Sequence, residues 1–317
     1  MKSKMIGVIL LCICFCFIQF NLSLAKEKEK KEETPKGLKT KTEIKYDFEE
    51  KSGKMERVEA GRSIGKYDDE GKQIEYASYN VDGKLERKWL YKYDDKGNPV
   101  ERLFSYDVDD KLYNKHLYKY DDKGNQVEWA VYDGKRKWQD KHLYKYDKDG
   151  NRLEDAYYNV DDKLEYKHLF KYDNKGNRIE DIYSNADGKL LDKGVFKYDD
   201  KDNQVEWVRY DADGKLKSNY YYKYDDMGNQ VQWVGYDADG KLTGKVVFRY
   251  DDKGNKVELD SYYADGKLSV KFLFKYDDKG NQIGQVKYDI KEKAGKIEEV
   301  PIRESVWEYE FYTDPKK

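Results

Sequence analysis

From Tyr67 to Tyr288 the chain alternates between two textures. Short stretches rich in Tyr, Val, Phe, Leu and Trp are broken at even intervals by clusters of Asp, Lys, Gly and Asn. No segment keeps its apolar residues at helical spacing, so the stretches read as strands and the clusters as turns. Turn signals this regular predict an all-β chain, a continuous antiparallel meander of about eighteen strands.

The turns belong to an internal repeat. Tyr67, Tyr93, Tyr120, Tyr146, Tyr172, Tyr198, Tyr224, Tyr250 and Tyr276 each open a Tyr-Asp-x-x-Gly/Asp-Asn/Lys segment. Their spacing is constant except between Tyr93 and Tyr120, where one position is added. The extra residue falls near Val108 and predicts a turn insertion or bulge. A related segment, Tyr236-Asp237-Ala238-Asp239-Gly240-Lys241-Leu242, lies between Tyr224 and Tyr250, slightly nearer the former. Each unit is therefore two similar halves, the first two positions shorter than the second. In Asp225-Asp226-Met227-Gly228-Asn229 the first aspartate can cap a type I turn, and Gly228 can take the left-handed conformation after it. Asp202 fills the glycine slot once; Asp110, Asp162 and Arg136 fill it in second halves, where Arg136 predicts an irregular turn.

If Asp225 pairs with Asn229, Tyr224 pairs with Gln230. Strict alternation then collects Tyr224, Gln232, Val234, Tyr236, Leu242, Val246, Phe248 and Tyr250 on one face. Lys215, Lys217, Lys223 and Lys241, with Val231 and Trp233, fall on the other. The unequal halves predict a drift of about one residue per strand, the stagger of a barrel tilted near 36°. The expected fold is therefore one long coiled or spiralling sheet of tandem hairpins, with the tyrosine face turned inward.

Residues 1–25 have the form of a secretory signal peptide: Lys2 and Lys4, an apolar run, then Ser23-Leu24-Ala25. Cys12, Cys14 and Cys16 all lie in it, so a cleaved chain carries no cysteine chemistry. Residues 26–45 are expected as a Lys/Glu-rich disordered tether, 46–312 as the repeat domain, and 313–317 as a tail. Tyr46–Met55 and Tyr288–Ile297 are longer variants of the half-repeat and are expected to cap open edges. Pro301 and Pro315 should discourage further pairing.

With 62 Lys and Arg against 64 Asp and Glu, nothing points to nucleic acid. Three chemistries invite attention, and each has a plainer account. His116, His142 and His168 recur at the repeat period, but equivalent residues sit roughly 10 Å apart, too far to share an ion, so a stack of rings is expected. The Asp-x-Asp-Gly turns lack the distal glutamate of a calcium loop and read as turn caps. Glu101, Glu128, Glu154, Glu180, Glu206 and Glu258 recur too evenly to single out a catalytic pair. No cofactor or metal is expected. One slot does vary between units, holding Tyr76, Arg102, Trp129, Asp155, Asp181, Trp207, Trp233, Leu259 and Gln285. Trp129, Trp207 and Trp233, with Arg209 and Tyr76, form a candidate binding surface, since exposed aromatic rows bind glycans or protein partners.

The pattern Tyr91-Lys92-Tyr93-Asp94-Asp95-Lys96-Gly97-Asn98 resembles the YD repeat of the RHS family, and the Tyr-Asp-x-Asp-Gly-Lys-Leu half resembles the remainder of that motif. The resemblance covers Tyr67 to Tyr288 and implies a spiralling β-sheet, which large family members close around cargo. This chain is far shorter than those. The expectation is an exported, non-enzymatic β-repeat scaffold or binding protein, periplasmic, surface-bound or extracellular. A carbohydrate-binding or adhesive surface protein is the first alternative. An outer-membrane β-barrel is the second, with membrane insertion disfavoured because neither face forms a clean lipid-facing band.

Overall fold

The computed structural model describes residues 34–312 apart from 107–111, 136 and 294–295. These residues form twenty strands. They are β1 Leu38–Lys51, β2 Lys54–Tyr67, β3 Gln73–Tyr79, β4 Leu85–Tyr93, β5 Pro99–Tyr106, β6 Leu112–Tyr120 and β7 Gln126–Asp133. Then come β8 Trp138–Tyr146, β9 Arg152–Tyr158, β10 Leu164–Tyr172, β11 Arg178–Asn185, β12 Leu190–Tyr198 and β13 Gln204–Asp211. The last seven are β14 Leu216–Tyr224, β15 Gln230–Asp237, β16 Leu242–Tyr250, β17 Lys256–Tyr262, β18 Leu268–Tyr276, β19 Gln282–Lys293 and β20 Lys296–Phe311.

Each strand pairs antiparallel with the next, and β1 also pairs with β20, Lys41 opposite Tyr309 and Ile44 opposite Val306. The sheet is thus a closed up-and-down barrel of twenty strands, where a coiled or spiralling sheet of about eighteen was expected. The reason lies in the end segments. Rather than shielding two open edges, they satisfy each other's backbone groups. β1 begins at Leu38, inside the stretch expected to be tether. Thr40, Thr42 and Ile44 alternate with charged residues there, and hydrogen-bond ladders flank them on both sides. Leu38 is 1% exposed, which ties the start of the strand down. Pro301 does not stop pairing as expected: it sits within β20 opposite Tyr288 at a register shift, and beyond it, from Arg303 onward, β20 pairs with β1 as well as β19. The signal peptide, residues 26–33, the tail, Val108, Asp110 and Arg136 lie outside the described residues.

The turns form as their residues dictate. The Asp225 N–H donates to the Asn229 carbonyl (2.9 Å) and the Gly228 N–H to the Asp225 carbonyl (3.1 Å). Asp225 Oδ1 accepts from the backbone of Met227 (3.0 Å) and Asn229 (2.8 Å), while the Asn229 side chain donates to Oδ2 (2.9 Å). Gly228 has φ of 84°, and Asp162 and Asp202 take the same region at 57° and 63°.

Strict alternation fails just after each turn. Tyr224 faces Gln230, but Lys223 faces Gln232, so Val231 is bulged out. Thr243 is skipped likewise between Tyr236–Leu242 and Gly235–Gly244. Each bulge shifts the phase by one residue. Gln232, Val234 and Tyr236 therefore leave the tyrosine face, and Trp233 joins it, contrary to the alternation read from the sequence.

The stagger matches the expectation. Trp207 faces Tyr220, and Tyr220 faces Gly235. Crossing two strands thus leads from Trp207 to Gly235, two positions beyond its repeat equivalent, Trp233. That is one residue per strand, the stagger of a barrel tilted about 36°. Twenty strands spaced about 4.8 Å at that tilt give a perimeter of ~120 Å, which as a circle is ~38 Å across. Such a section is wide enough for water.

A single-layer wall has no ordinary core, and the largest side chains under 2% exposed are only Leu38 and Ser63. Several bulky apolar side chains differ between the two faces. On the tyrosine face Phe104, Phe196, Val246 and Phe272 are 3–6% exposed; on the other Leu90 and Leu169 are 38% and Tyr221 is 44% exposed. Side chains converge on the concave side of a curved sheet and splay on the convex side, which assigns the tyrosine face to the interior.

The repeat tyrosines fasten the wall. The β15–β16 ladder ends at Gln232 opposite Val247. Just beyond it, the Tyr250 hydroxyl donates to the leftover Gln230 carbonyl at 2.9 Å. Tyr93, Tyr146, Tyr172, Tyr198, Tyr224 and Tyr276 repeat the bond to the carbonyl at the equivalent earlier position, at 2.7–2.9 Å.

Candidate functional site

The inner face carries two runs of stacked rings. In the first, Phe104 lies on Trp89 (3.9 Å between centroids), and His116, Trp129, His142 and Tyr157 follow at 5.0–6.0 Å. Tyr166 and Tyr183 extend it to His168, which meets Tyr183 edge-on at 4.4 Å. In the second, Phe196, Trp207, Tyr220 and Trp233 stack at 4.9–5.9 Å. Side chains directly opposite on neighbouring strands are close enough for this contact, so an aromatic at one slot of every unit builds a belt.

The histidines serve as rings. His116 Nδ1 accepts from Trp129 Nε1 at 3.2 Å; burial, aided by the Arg102 cation, pushes it down to about 4, so it stays neutral at pH 7. His142 Nδ1 is 2.7 Å from Asp155 Oδ1. Burial also lowers His168, against the pull of Asp155 and Asp181.

Between the runs the belt is breached. Gly194 occupies the slot that holds Trp89, His116, His142, His168, Tyr220, Val246 and Phe272 in other units. A Cβ there would stand 2.3 Å from Asp181 Oδ1 and 2.8 Å from Trp207 Nε1, so both side chains fold into the space that the glycine leaves. Burial raises Asp181, with Arg178 opposing. The Arg178 guanidinium lies over Phe196 (4.4 Å) and 3.8 Å from the Asp181 carboxylate. Arg209 grips Asp192 with two nitrogens, at 3.3 and 2.9 Å, and lies 5.3 Å over Trp207.

The structure therefore places the sequence-derived candidates on the inner face, not on an exposed row. Trp207, Trp233 and Arg209 come together in the second run. Trp129 sits in the first, and Tyr76 faces Trp89 at its end. Trp207 is 8% exposed, because Phe196 and Tyr220 cover its two faces. Sequence reasoning left Asp155 and Asp181 as mere variants of the slot and missed Arg178 and Gly194. The signal was aspartate at the variable slot in two consecutive units, and a glycine where other units carry rings.

The outer face is ionic. Lys66–Glu75 (2.8 Å), Lys92–Glu101 (2.7 Å), Lys119–Glu128 (2.9 Å), Lys145–Glu154 (3.0 Å) and Lys197–Glu206 (2.6 Å) repeat one pair around the wall. Lys171 and then Lys193 hold the Glu180 carboxyl below its usual range. The recurrent glutamates are thus partners of basic residues, outside the barrel. Among the described residues no His, Cys, Asp or Glu group is arranged to hold a metal ion.

No family model matches the sequence, and no curated protein matches it. Among solved structures, a TcdB2-TccC3-Cdc42 complex is similar over 86% of this chain and 16% of its own, at 14% identity and a TM-score of 0.33. The Tc toxin TccC3 chains contain RHS/YD repeats, so the likeness to that repeat class is weak and partial. A porin-like protein from Bacteroides uniformis is similar over 85% of this chain and 97% of its own, at 10% identity and a TM-score of 0.36. A second, from Bacteroides vulgatus, is similar over 71% of this chain and 93% of its own, at 13% identity and a TM-score of 0.21. Likeness at these TM-scores decides nothing about function.

Proposed function

We propose that this chain is an exported, water-facing β-barrel that works as a non-enzymatic binding scaffold, with the aromatic inner face as its binding surface. The observation that carries this reading is the charge on both walls. A lysine near the bilayer midplane costs about 2–4 kcal/mol on a lipid-facing strand. The outer wall would bring Lys88, Lys115, Lys167, Lys193 and Lys271, each at mid-strand beside a glutamate. The inner face, were it turned outward, would bring Arg102, Arg178, Asp181, Asp192 and Arg209. Water on both sides removes that cost. Repetition of the turns, clamps and ion pairs leaves unit-to-unit variation to the belt, where binding specificity would reside.

A second reading, the outer-membrane barrel, is favoured by one specific feature: an even number of strands closed without an edge. The two readings part in one experiment. Purified without detergent, a water-facing barrel runs as a monodisperse species and leaves planar bilayers electrically silent. Detergent-dependent solubility together with stepwise conductance would replace our reading with the second.

A further inference from the structure

The breach at Gly194 is built differently from the rest of the belt. Trp207 is more than nine-tenths buried, and its Nε1–H has no hydrogen-bond partner among the described residues. Trp129, in the same slot three units earlier, gives its N–H to His116, the residue that stands where Gly194 does. A buried indole donor without an acceptor carries a desolvation cost that the fold does not recover. It points at the space over Gly194, where the Asp181 carboxylate also sits. The Nε of Arg178, whose side chain is 10% exposed, is a second buried donor without a hydrogen-bond acceptor there. Asp181 is the accessible member, with its side chain 27% exposed to the lumen.

We infer that this breach is a binding site for a neutral, hydroxyl-bearing ring, a sugar residue of a glycan. A hydroxyl matches the unusual pair on offer. It accepts from Trp207 Nε1–H and donates to the Asp181 carboxylate, which swings off Gly194 to meet it. Neither an alkyl group nor an anion can do both. Phe196 is buried, and the half-buried Tyr220 gives the ring the edge of the stack to lie against. The charges select for neutrality. Arg178, Arg209 and Lys217 are balanced by Asp181, Asp192 and Asp155, and the carboxylate that meets the ligand is Asp181, so an anion placed against it meets local repulsion. Gly194 lets Asp181 and Trp207 converge, since any side chain there would displace both.

The inference rests on the inner face being a binding surface in a water-facing barrel. Its test uses the full mature chain with 15N-labelled tryptophan, titrated with cellobiose, maltose, lactose and chitobiose. The Trp207 indole N–H signal, assigned by its loss in Trp207→Phe, is expected to shift saturably with at least one of the four, while the Trp129 signal stays still. Asp181→Asn, which keeps the shape, should weaken that binding at least tenfold; a glucuronate-containing disaccharide should bind more weakly than its neutral counterpart. No saturable Trp207 shift with any neutral sugar up to about 10 mM overturns the proposal. So does unchanged affinity in a folded Asp181→Asn. The direct indole readout needs no variant to fold beyond the one used for assignment. A detergent-free, non-conducting barrel with a silent indole sinks this site alone; a conducting, detergent-dependent one sinks the reading beneath it.

Discussion

The tyrosine clamps can be tested one at a time. In Tyr198→Phe the ring remains and only the hydroxyl is lost, along with its 2.8 Å bond to the Arg178 carbonyl. That carbonyl sits where the ladder has run out, so its lone pair is left without a donor on a half-buried wall. The loss should cost about 1–2 kcal/mol. Tyr146, Tyr198 and Tyr250 lie two units apart, roughly 19 Å along the wall at four strand spacings, far enough for their effects to add. The triple phenylalanine variant should therefore lose about 3–6 kcal/mol, a large share of what a domain usually has. Urea unfolding followed by near-UV circular dichroism measures it, with an unchanged m-value showing that the same surface is exposed. A triple variant within about 1 kcal/mol of the parent would mean that the hydroxyls contribute nothing beyond their rings, which would refute the clamping role. Alkaline pH gives an independent handle. Burial pushes Tyr198 up to about 12. The folded state thus holds the proton more tightly than the unfolded chain, so this stabilisation is whole below about pH 10 and is lost as pH rises toward 12.

Other outcomes follow from the same geometry. Gly194→Ala places a Cβ against Asp181 and Trp207 and should destabilise by about 1–3 kcal/mol, with partial recovery when Asp181→Ala is added; additive effects in thermal melts would contradict the convergence described. His116, held down to about 4, binds protons more readily once unfolded, so its share of stability is whole above about pH 6.5 and declines as pH falls toward 4; His116→Phe should flatten that limb of a pH–stability profile. A chain truncated after Lys293 loses β20 and opens both seams, and size-exclusion chromatography with light scattering should find it associated rather than monomeric.

Much of this fold was legible because turn chemistry is local. Asp225, Gly228 and Asn229 announce their hairpin on their own, and the unequal halves carry the stagger. The bulges at Val231 and Thr243 were not legible. Each bulge depends on how the turn hands the chain to its ladder, and valine or threonine bears no mark of it. Closure was hidden for another reason. Nothing within Leu38–Lys51 or Lys296–Phe311 reports that two segments so distant in sequence share a ladder, and the Lys/Glu content of the first looked like disorder. The candidate site was half visible. The variable slot named Trp207 and Trp233, but the meaning of Asp181 emerged only beside Gly194, which lies on another strand.

The seam between β1 and β20 has a consequence for how the protein is made. Every other ladder joins neighbours in sequence and can form as the chain emerges. The seam joins residues from opposite ends of the chain, such as Asp47 and Arg303 at 3.0 Å. Until the last strand arrives, the molecule is an open ribbon with two unpaired edges, each able to recruit a stranger. Closure is therefore a late event in synthesis, and the two ends of the sheet meet when it happens: the Tyr312 N–H donates to the Gly37 carbonyl at 2.7 Å. Joining those ends and cutting the chain at any rim turn would move the vulnerable moment elsewhere without altering the barrel.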